Sequence, residues 1–220
     1  MTVVTFTSGI QVSNLALTLV GANSIQSFED DSQEAQIMKQ NYELWVVQCF
    51  EKYQWRFAIH SGECSKLESA PIPQWEYGYE LPADLIQVIA VFKKNVSPET
   101  LGGVTTYKNS MEGEPPYQNY QIFANNTLCT DYGDGIIVNY KKRVPEATWP
   151  ASFVNFVAYY MAIQLCALVG RQFELQKQLV ALTFGSGSNS VYQTACDVDA
   201  SQSCTELLKV DFFQDARESY

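Results

Sequence analysis

The feature that most constrains the fold is the segment 149–171, which has no charged residue between Ala151 and Val169. Pro150 suits a first helical turn, where its missing N–H is not needed, and Gly170 stands where a helix would end. Two neighbouring stripes recur at helical spacing, namely Phe153, Val157, Tyr160, Gln164 and Leu168, and Val154, Ala158, Met161, Leu165 and Cys166. A helix that is apolar on nearly every side must be surrounded by protein or by lipid.

The length of this helix allows both environments. It is about the minimum that crosses a bilayer, roughly 17–25 residues. It also contains Ser152, Asn155, Gln164 and two adjacent tyrosines, and no second hydrophobic span occurs in the sequence. We therefore expect a central helix, covered by other helices and in part by a neighbouring subunit, rather than a membrane span.

The charge of the chain disfavours one class of function. The formal net charge is −10, with 14 Lys and Arg against 24 Asp and Glu, and the largest basic cluster is 141–143. A protein that grips nucleic acid by neutralising phosphates needs clustered Lys and Arg. The first residues also lack a basic region followed by an apolar core. We expect an acidic, soluble protein that is not secreted.

The cysteines show no CxxC pair and no metal-ligand spacing. Cys49 and Cys166 lie in apolar helical runs and are predicted to be buried thiols. Cys196 and Cys204 could close a loop, but reduced thiols are expected in a protein that is not secreted. The full set is Cys49, Cys64, Cys129, Cys166, Cys196 and Cys204.

Three further helices are predicted. Ser8 can cap a helix over about 9–20, which Gly21 ends. A long second helix over about 32–57 follows a capping-box spacing, and its apolar residues recur at three- and four-residue steps. A fourth helix begins near residue 171 and is interrupted at 185–190, after which the pattern resumes weakly at 191–195. The capping-box pair is Asp31 and Glu34, and the main stripe is Ala35, Met38, Tyr42, Trp45, Cys49 and Tyr53.

Between the helical regions the pattern changes to short β-type runs. Strands are predicted at 86–92 and 136–142, and Asn125-Asn126 is predicted to join two strands as a hairpin. Gly, Pro, Ser and Thr make 97–116 a predicted long exposed loop. Two further stretches are predicted to be irregular, the polar segment 60–73 and the loop-like segment 75–82 with its aromatic anchors.

These elements predict a mainly α fold of the α+β class, a bundle of about four helices with an inserted small antiparallel β-lobe. Residues 1–60 and 146–184 are expected to form the bundle, and 75–145 the lobe. Residues 185–220 are expected to be an extension. It carries an apolar cluster with no local cover, which is expected to fold back on the body or to dock on a partner. The cluster consists of Leu207, Leu208, Val210, Phe212 and Phe213.

No motif for catalysis, cofactor binding or metal binding stands out. His60 is the one histidine, and a dyad with Cys64 would lack a predicted acid partner and oxyanion donors. Two aspartate pairs in turns could bind a hard cation, but such aspartates mostly accept local backbone N–H groups. These pairs are Asp131 with Asp134 and Asp197 with Asp199. We therefore predict no catalytic residue, no cofactor and no metal.

Four phrases stand in order within residues 8–184. They are LALTLVGANSIQSFEDDSQEA at 15–35, WRFA at 55–58, YGYELPAD at 77–84, and the strand 136–142 with Arg143-Val144 before the central helix. In this order they resemble the phage tail tubular protein A family, the head-to-tail adaptors (connectors) of short-tailed bacteriophages.

The resemblance implies a structural role rather than an enzymatic one. Such adaptors form a ring of about twelve copies between portal and tail nozzle, with genomic DNA passing through without sequence-specific binding. The expected location is the virion neck, and the host cytoplasm during assembly. Other neck or tail-completion proteins, and a small thiol hydrolase, remain alternatives. Structural and interface contacts are expected from Tyr42, Trp45, Trp55, Phe57, Tyr79, Pro82, Phe156, Tyr160, Phe212 and Phe213.

Overall fold

The computed structural model describes residues 8–94, 96–101, 104–109, 116–123, 126–170, 172–185 and 190–202, with the backbone alone within 96–109. Its α-helices are α1 (Gly9–Leu19), α2 (Gln33–Glu51), α3 (Ala151–Leu165), α4 (Phe173–Phe184) and α5 (Val191–Ala200). Its strands are β1 (Ile59–Glu63), β2 (Ser65–Lys66), β3 (Tyr77–Glu80), β4 (Leu85–Lys93), β5 (Val96–Leu101), β6 (Val104–Asn109), β7 (Tyr120–Phe123), β8 (Thr127–Thr130) and β9 (Ile136–Lys142).

The prediction of a mainly α bundle with a small β-lobe is wrong. The fold is mixed α/β, with five α-helices and two antiparallel sheets that contain seven strands. One sheet has the order β1-β9-β4 and the other the order β2-β3-β8-β7, while β5 and β6 pair as a separate hairpin. Among the described residues, the strands are therefore more than a small lobe inserted into a helix bundle.

Several strands lie where loops were predicted. The polar stretch 60–73 supplies β1 and β2, and the aromatic stretch 75–82 supplies β3. The predicted long loop 97–116 contains the paired strands β5 and β6. These segments lack a clear two-residue alternation, and they become strands through pairing with distant partners. Residues Ile59 to Glu63, for example, pair with β9 from Lys141 to Ile137.

The strands predicted from pattern are confirmed. Residues 86–92 lie in β4 and residues 136–142 are β9, the central strand of its sheet. The predicted hairpin is formed by β7 and β8, which pair from Phe123 with Thr127 to Tyr120 with Thr130. Asn126, in the turn, has a φ of 57°, which Asn tolerates better than most residues.

The central position of α3 is confirmed. Its residues from Phe153 to Leu165 are buried on nearly every side, and α1, α2, α4 and α5 all pack against it. A π-helical turn, Cys166–Gly170, continues it. Ala151–Val169 is long and apolar enough to cross a membrane, but 56% of the most apolar window within it is buried inside the protein. The helix thus has the surroundings of a core helix.

The first helix is confirmed, while both ends of the second differ from the prediction. Ser8 caps α1, and Gly21 follows its end with a φ of 68°. Ser32 rather than Asp31 caps α2, through a hydrogen bond from the Ala35 amide. The helix ends at Glu51, about six residues early. The chain turns there because the fully buried Trp55 packs against α3 and its indole donates to the Cys49 carbonyl at 2.9 Å.

Two hydrophobic cores result. The larger contains buried residues from all five helices, and it includes Ala195 and Cys196 of α5, a helix that extends beyond the weak pattern at 191–195. The smaller lies between the two sheets and contains Tyr79, Val91, Leu128 and Val138. The helices thus come from both ends of the described chain, and the strands lie between them in sequence.

Candidate functional site

Five of the predicted contact residues lie inside the chain itself, where they form its own cores. They are Tyr42, Trp45, Trp55, Tyr79 and Phe156. Phe57, Pro82 and Tyr160 are partly buried. Phe212 and Phe213 lie outside the described residues, as does Cys204. Most of the large residues selected from the sequence are therefore buried or partly buried within one subunit.

The indole of Trp55 belongs to the largest aromatic cluster of the described residues. Its ring centroid lies 4.9 Å from that of Phe153 and 5.8 Å from that of Phe156. Phe57, in a short 3-10 turn, adds a ring 5.0 Å from Phe153. Aromatic pairs at these separations add to the hydrophobic burial. The WRFA phrase therefore fixes the chain to α3 immediately after α2.

Tyr42 connects α2 to the segment that precedes α3. Its hydroxyl donates to Glu146 Oε1 at 2.9 Å, and Arg143 also reaches this carboxylate, at 2.6 Å. Arg143 binds Glu43 at 2.9 Å through Nε. Burial raises the pKa of Tyr42. Burial would also raise the pKa of Glu146, but the hydrogen bonds that it accepts, first that from Arg143, lower it below its usual value. This network holds the helices together.

Tyr79 and Pro82 have a similar role in the sheet region. The Tyr79 hydroxyl donates to the Tyr132 carbonyl at 2.9 Å and accepts the Gly135 amide at 3.3 Å. The Pro82 carbonyl accepts Asn126 Nδ2 at 3.0 Å. The YGYELPAD phrase is thus tied to the turns on either side of β8.

The described chain exposes eight large hydrophobic side chains, and five of them lie between residues 168 and 184. These five, called here the α4 surface, are Leu168, Phe173, Val180, Leu182 and Phe184. Phe173 and Leu182 are 60% and 57% exposed, whereas Leu179 on the same helix is 4% exposed. Helix α4 thus carries more apolar surface than its own chain covers. The sequence indicated an apolar fourth helix but not which side is left open.

An aromatic group extends this surface toward α2. Tyr160 donates a hydrogen bond to Gln48 at 2.9 Å, and the ammonium of Lys52 lies 5.1 Å from the Tyr160 ring centroid and 5.4 Å from that of Phe184. The ring of Tyr192 lies 5.8 Å from that of Phe184. A cation held over partly exposed rings is typical of interaction surfaces.

A cleft of about 670 Å³ lies where the end of α2 meets the sheet β1-β9-β4. We call it the Lys141 cleft, since Lys141 lines it and is only 1% exposed. The other lining residues are Glu51, Lys52, Tyr53, Gln54, Arg56, Ile59 and Gln87. The sequence showed Lys141 only as part of a basic cluster, because nothing local marks which of three adjacent cations is buried.

The residues considered for chemistry are not brought together. A ring nitrogen of His60 lies 3.3 Å from the Ala58 carbonyl oxygen, and burial raises the pKa of the Cys64 thiol to about 11. A thiolate beside an imidazole, as a thiol hydrolase needs, is not present among the described residues. Asp131 accepts the Glu76 amide and Asp199 accepts the Arg56 amide. Within that part of the chain no three acidic, His or Cys side chains form a metal-binding group.

The thiols predicted to be buried, Cys49 and Cys166, are buried and free. Burial raises the pKa of both, so they behave as apolar core residues. Cys196 is likewise buried and free.

No protein-family model matches the sequence, and no curated protein matches it.

Proposed function

We propose that this chain is a structural subunit of a bacteriophage neck, a head-to-tail adaptor that forms a ring between the portal and the tail nozzle. Genomic DNA passes through the ring. The observation that carries the proposal is the α4 surface, which is apolar, solvent-exposed and adjacent to the central helix. In a ring, each subunit covers part of its neighbour's apolar surface.

Two sequence features support the same role. The four ordered phrases that resemble tail tubular protein A occupy structural positions, at the start of α2, at the Trp55 turn and in the sheet. The net charge of −10 suits a channel that lets DNA slide rather than one that holds it. Neutral or basic residues lining the channel of an assembled ring would contradict the second point.

The portal provides the direct test. The chain is mixed with the portal protein of its phage, and the mass of the product is measured by native mass spectrometry. We expect a complex with about twelve copies of this chain. The portal is included because adaptors of this kind can stay monomeric until a portal templates the ring. A chain that remains monomeric with the portal present, and does not bind it, would refute the proposal.

A truncation tests which segment reaches the portal. Deleting residues 205–220 removes the apolar cluster that contains Phe212 and Phe213, and we expect portal binding to be lost while the circular dichroism spectrum of the body is kept. A matched control replaces only Lys209 and Arg217 with Gln, which keeps the apolar residues. Unchanged portal binding by the truncated chain would assign docking to another surface.

A further inference from the structure

The ammonium group of Lys141 is buried at a place where the described residues supply no counter-ion. Its Nζ donates to the Phe50 carbonyl at 2.9 Å and to the Gln87 side-chain oxygen at 3.1 Å, and both acceptors are neutral. Among the described residues, none forms an ion pair with it within 4.0 Å. Burying a charge without an opposite charge costs free energy. An anion in the adjoining cleft would supply the missing partner.

Cations also outnumber anions among the other residues that line the Lys141 cleft. Lys52 and Arg56 line it and are exposed, while Glu51 is the one acidic side chain in the lining. Glu51 acts on Lys141 at longer range, where it opposes the lowering of the Lys141 pKa by burial. The cleft thus presents three cations and one anion on a chain with a net charge of −10.

We propose that the Lys141 cleft binds a side-chain carboxylate of residues 203–220 of the same chain. The carboxylate accepts hydrogen bonds from Arg56 and Lys52 and provides the counter-ion for Lys141. Charge-assisted hydrogen bonds of this kind are stronger than those between neutral groups. The contact forms in the free chain, before a portal is bound, so it stands or falls separately from the adaptor role.

The described chain ends near the cleft, which favours the residues that follow as the source of the carboxylate. In α5, Asp199 Oδ2 accepts the backbone amide of Arg56 at 2.8 Å, and the Tyr192 hydroxyl donates to the Lys52 carbonyl at 3.0 Å. The described chain ends at Gln202, three residues after Asp199 and hence close to the cleft. The 18 residues that follow can span at most about 60 Å, and they contain four carboxylates, Glu206, Asp211, Asp215 and Glu218.

Zero-length cross-linking tests the contact on the full chain without any partner. A water-soluble carbodiimide joins a carboxylate to a lysine amine only where the two groups touch, and peptide mass spectrometry identifies the pair. We expect a cross-link from Lys52 or Lys141 to one of the four carboxylates of 203–220. We expect this product in the monomer band, and a product found only in the dimer band would overturn the proposal.

Two variants complete the test. Arg56→Gln removes an exposed cation of the cleft and keeps Lys52 as the reporter, and we expect the cross-linked fraction to fall about tenfold, the effect of losing one charge-assisted hydrogen bond. Lys177→Gln, which removes an exposed cation paired with Glu174 elsewhere, should change nothing. Absence of the cleft cross-link in the full chain, or an equal yield in Arg56→Gln, would overturn the proposal.

Discussion

The ammonium of Lys141 in β9 donates a 2.9 Å hydrogen bond to the carbonyl oxygen of Phe50, one residue before the end of α2. The last carbonyls of a helix have no partner within the helix, and a cation is favourable at this end of the helix dipole. One side chain of the sheet region thus completes a helix of the helical core. This bond joins the helical core to the sheet region.

Replacing this lysine tests the connection. Lys141→Met keeps an unbranched side chain one atom shorter but leaves the Phe50 and Gln87 oxygens without the Lys141 donor, and we expect a loss of about 1–3 kcal/mol of unfolding free energy. Urea unfolding followed by circular dichroism measures it. The control is Lys142→Met, since Lys142 bonds Asp84 at the surface and should cost less than about 1 kcal/mol. Equal losses of unfolding free energy in the two variants would show that Lys141 stabilises the fold no more than the surface residue Lys142 does.

The Tyr42–Glu146–Arg143 network makes stability depend on pH. Because the pKa of Glu146 is lowered in the folded chain, its ionised form stabilises the fold above its ordinary value of 4.5, and this stabilisation is lost as the pH falls below it. We expect Glu146→Gln to cost about 1–3 kcal/mol at neutral pH, and progressively less as the pH approaches about 2. Glu174→Gln, at an exposed pair, serves as the flat control. A cost for Glu146→Gln that does not vary with pH would contradict this.

Two tryptophans differ both in burial and in the hydrogen bonding of the indole N–H, since Trp75 is only half-buried. Trp55 is fully buried and its Nε1 bonds the Cys49 carbonyl, whereas the buried Nε1 of Trp75 has no hydrogen-bond partner among the described residues. Trp55→Phe should therefore cost at least about 2 kcal/mol. Trp75→Phe removes an unpaired donor and should cost less than about 1 kcal/mol. Thermal unfolding of both variants measures the difference. A larger loss of stability for Trp75→Phe than for Trp55→Phe would contradict this prediction.

Substitutions on the α4 surface are expected to change ring assembly without changing the stability of the fold. Leu182→Glu places a charge on an exposed position, so we expect unchanged thermal stability but no ring on the portal, as judged by native mass spectrometry. Leu179→Ala, one turn away in the core, should cost about 2–5 kcal/mol. Ile122→Glu, at an exposed position on β7, should leave assembly intact. A Leu182→Glu chain that still forms the ring would exclude this part of α4 from the interface.

Helices and regular strands could be predicted because their signals are local. Ser8 and Gly21 bound α1 as expected, and the uncharged run over 151–169 marks the central helix. The β-branched run that opens 136–142 and the turn at Asn126 mark β9 and the β7–β8 hairpin. Each of these depends on side chains that are close together in the sequence.

Other elements could not be predicted because distant residues decide them. The sequence of β1, IHSGE, has no strong strand preference, and it is extended because it pairs with β9. Helix α2 stops at Glu51 although the helical pattern continues, because burying Trp55 against Phe153 and Phe156 requires the chain to turn.

By itself, the sequence determined that a long apolar helix lies at the centre and that the chain as a whole is acidic. It did not determine how much of the chain becomes sheet, that Lys141 alone of three adjacent cations is buried, or that Phe173 and Leu182 remain exposed while Leu179 does not. Only the tertiary structure decided these points. The physical reason is that burial and strand pairing are relations between elements far apart in the chain, whereas periodicity and capping act within a few residues.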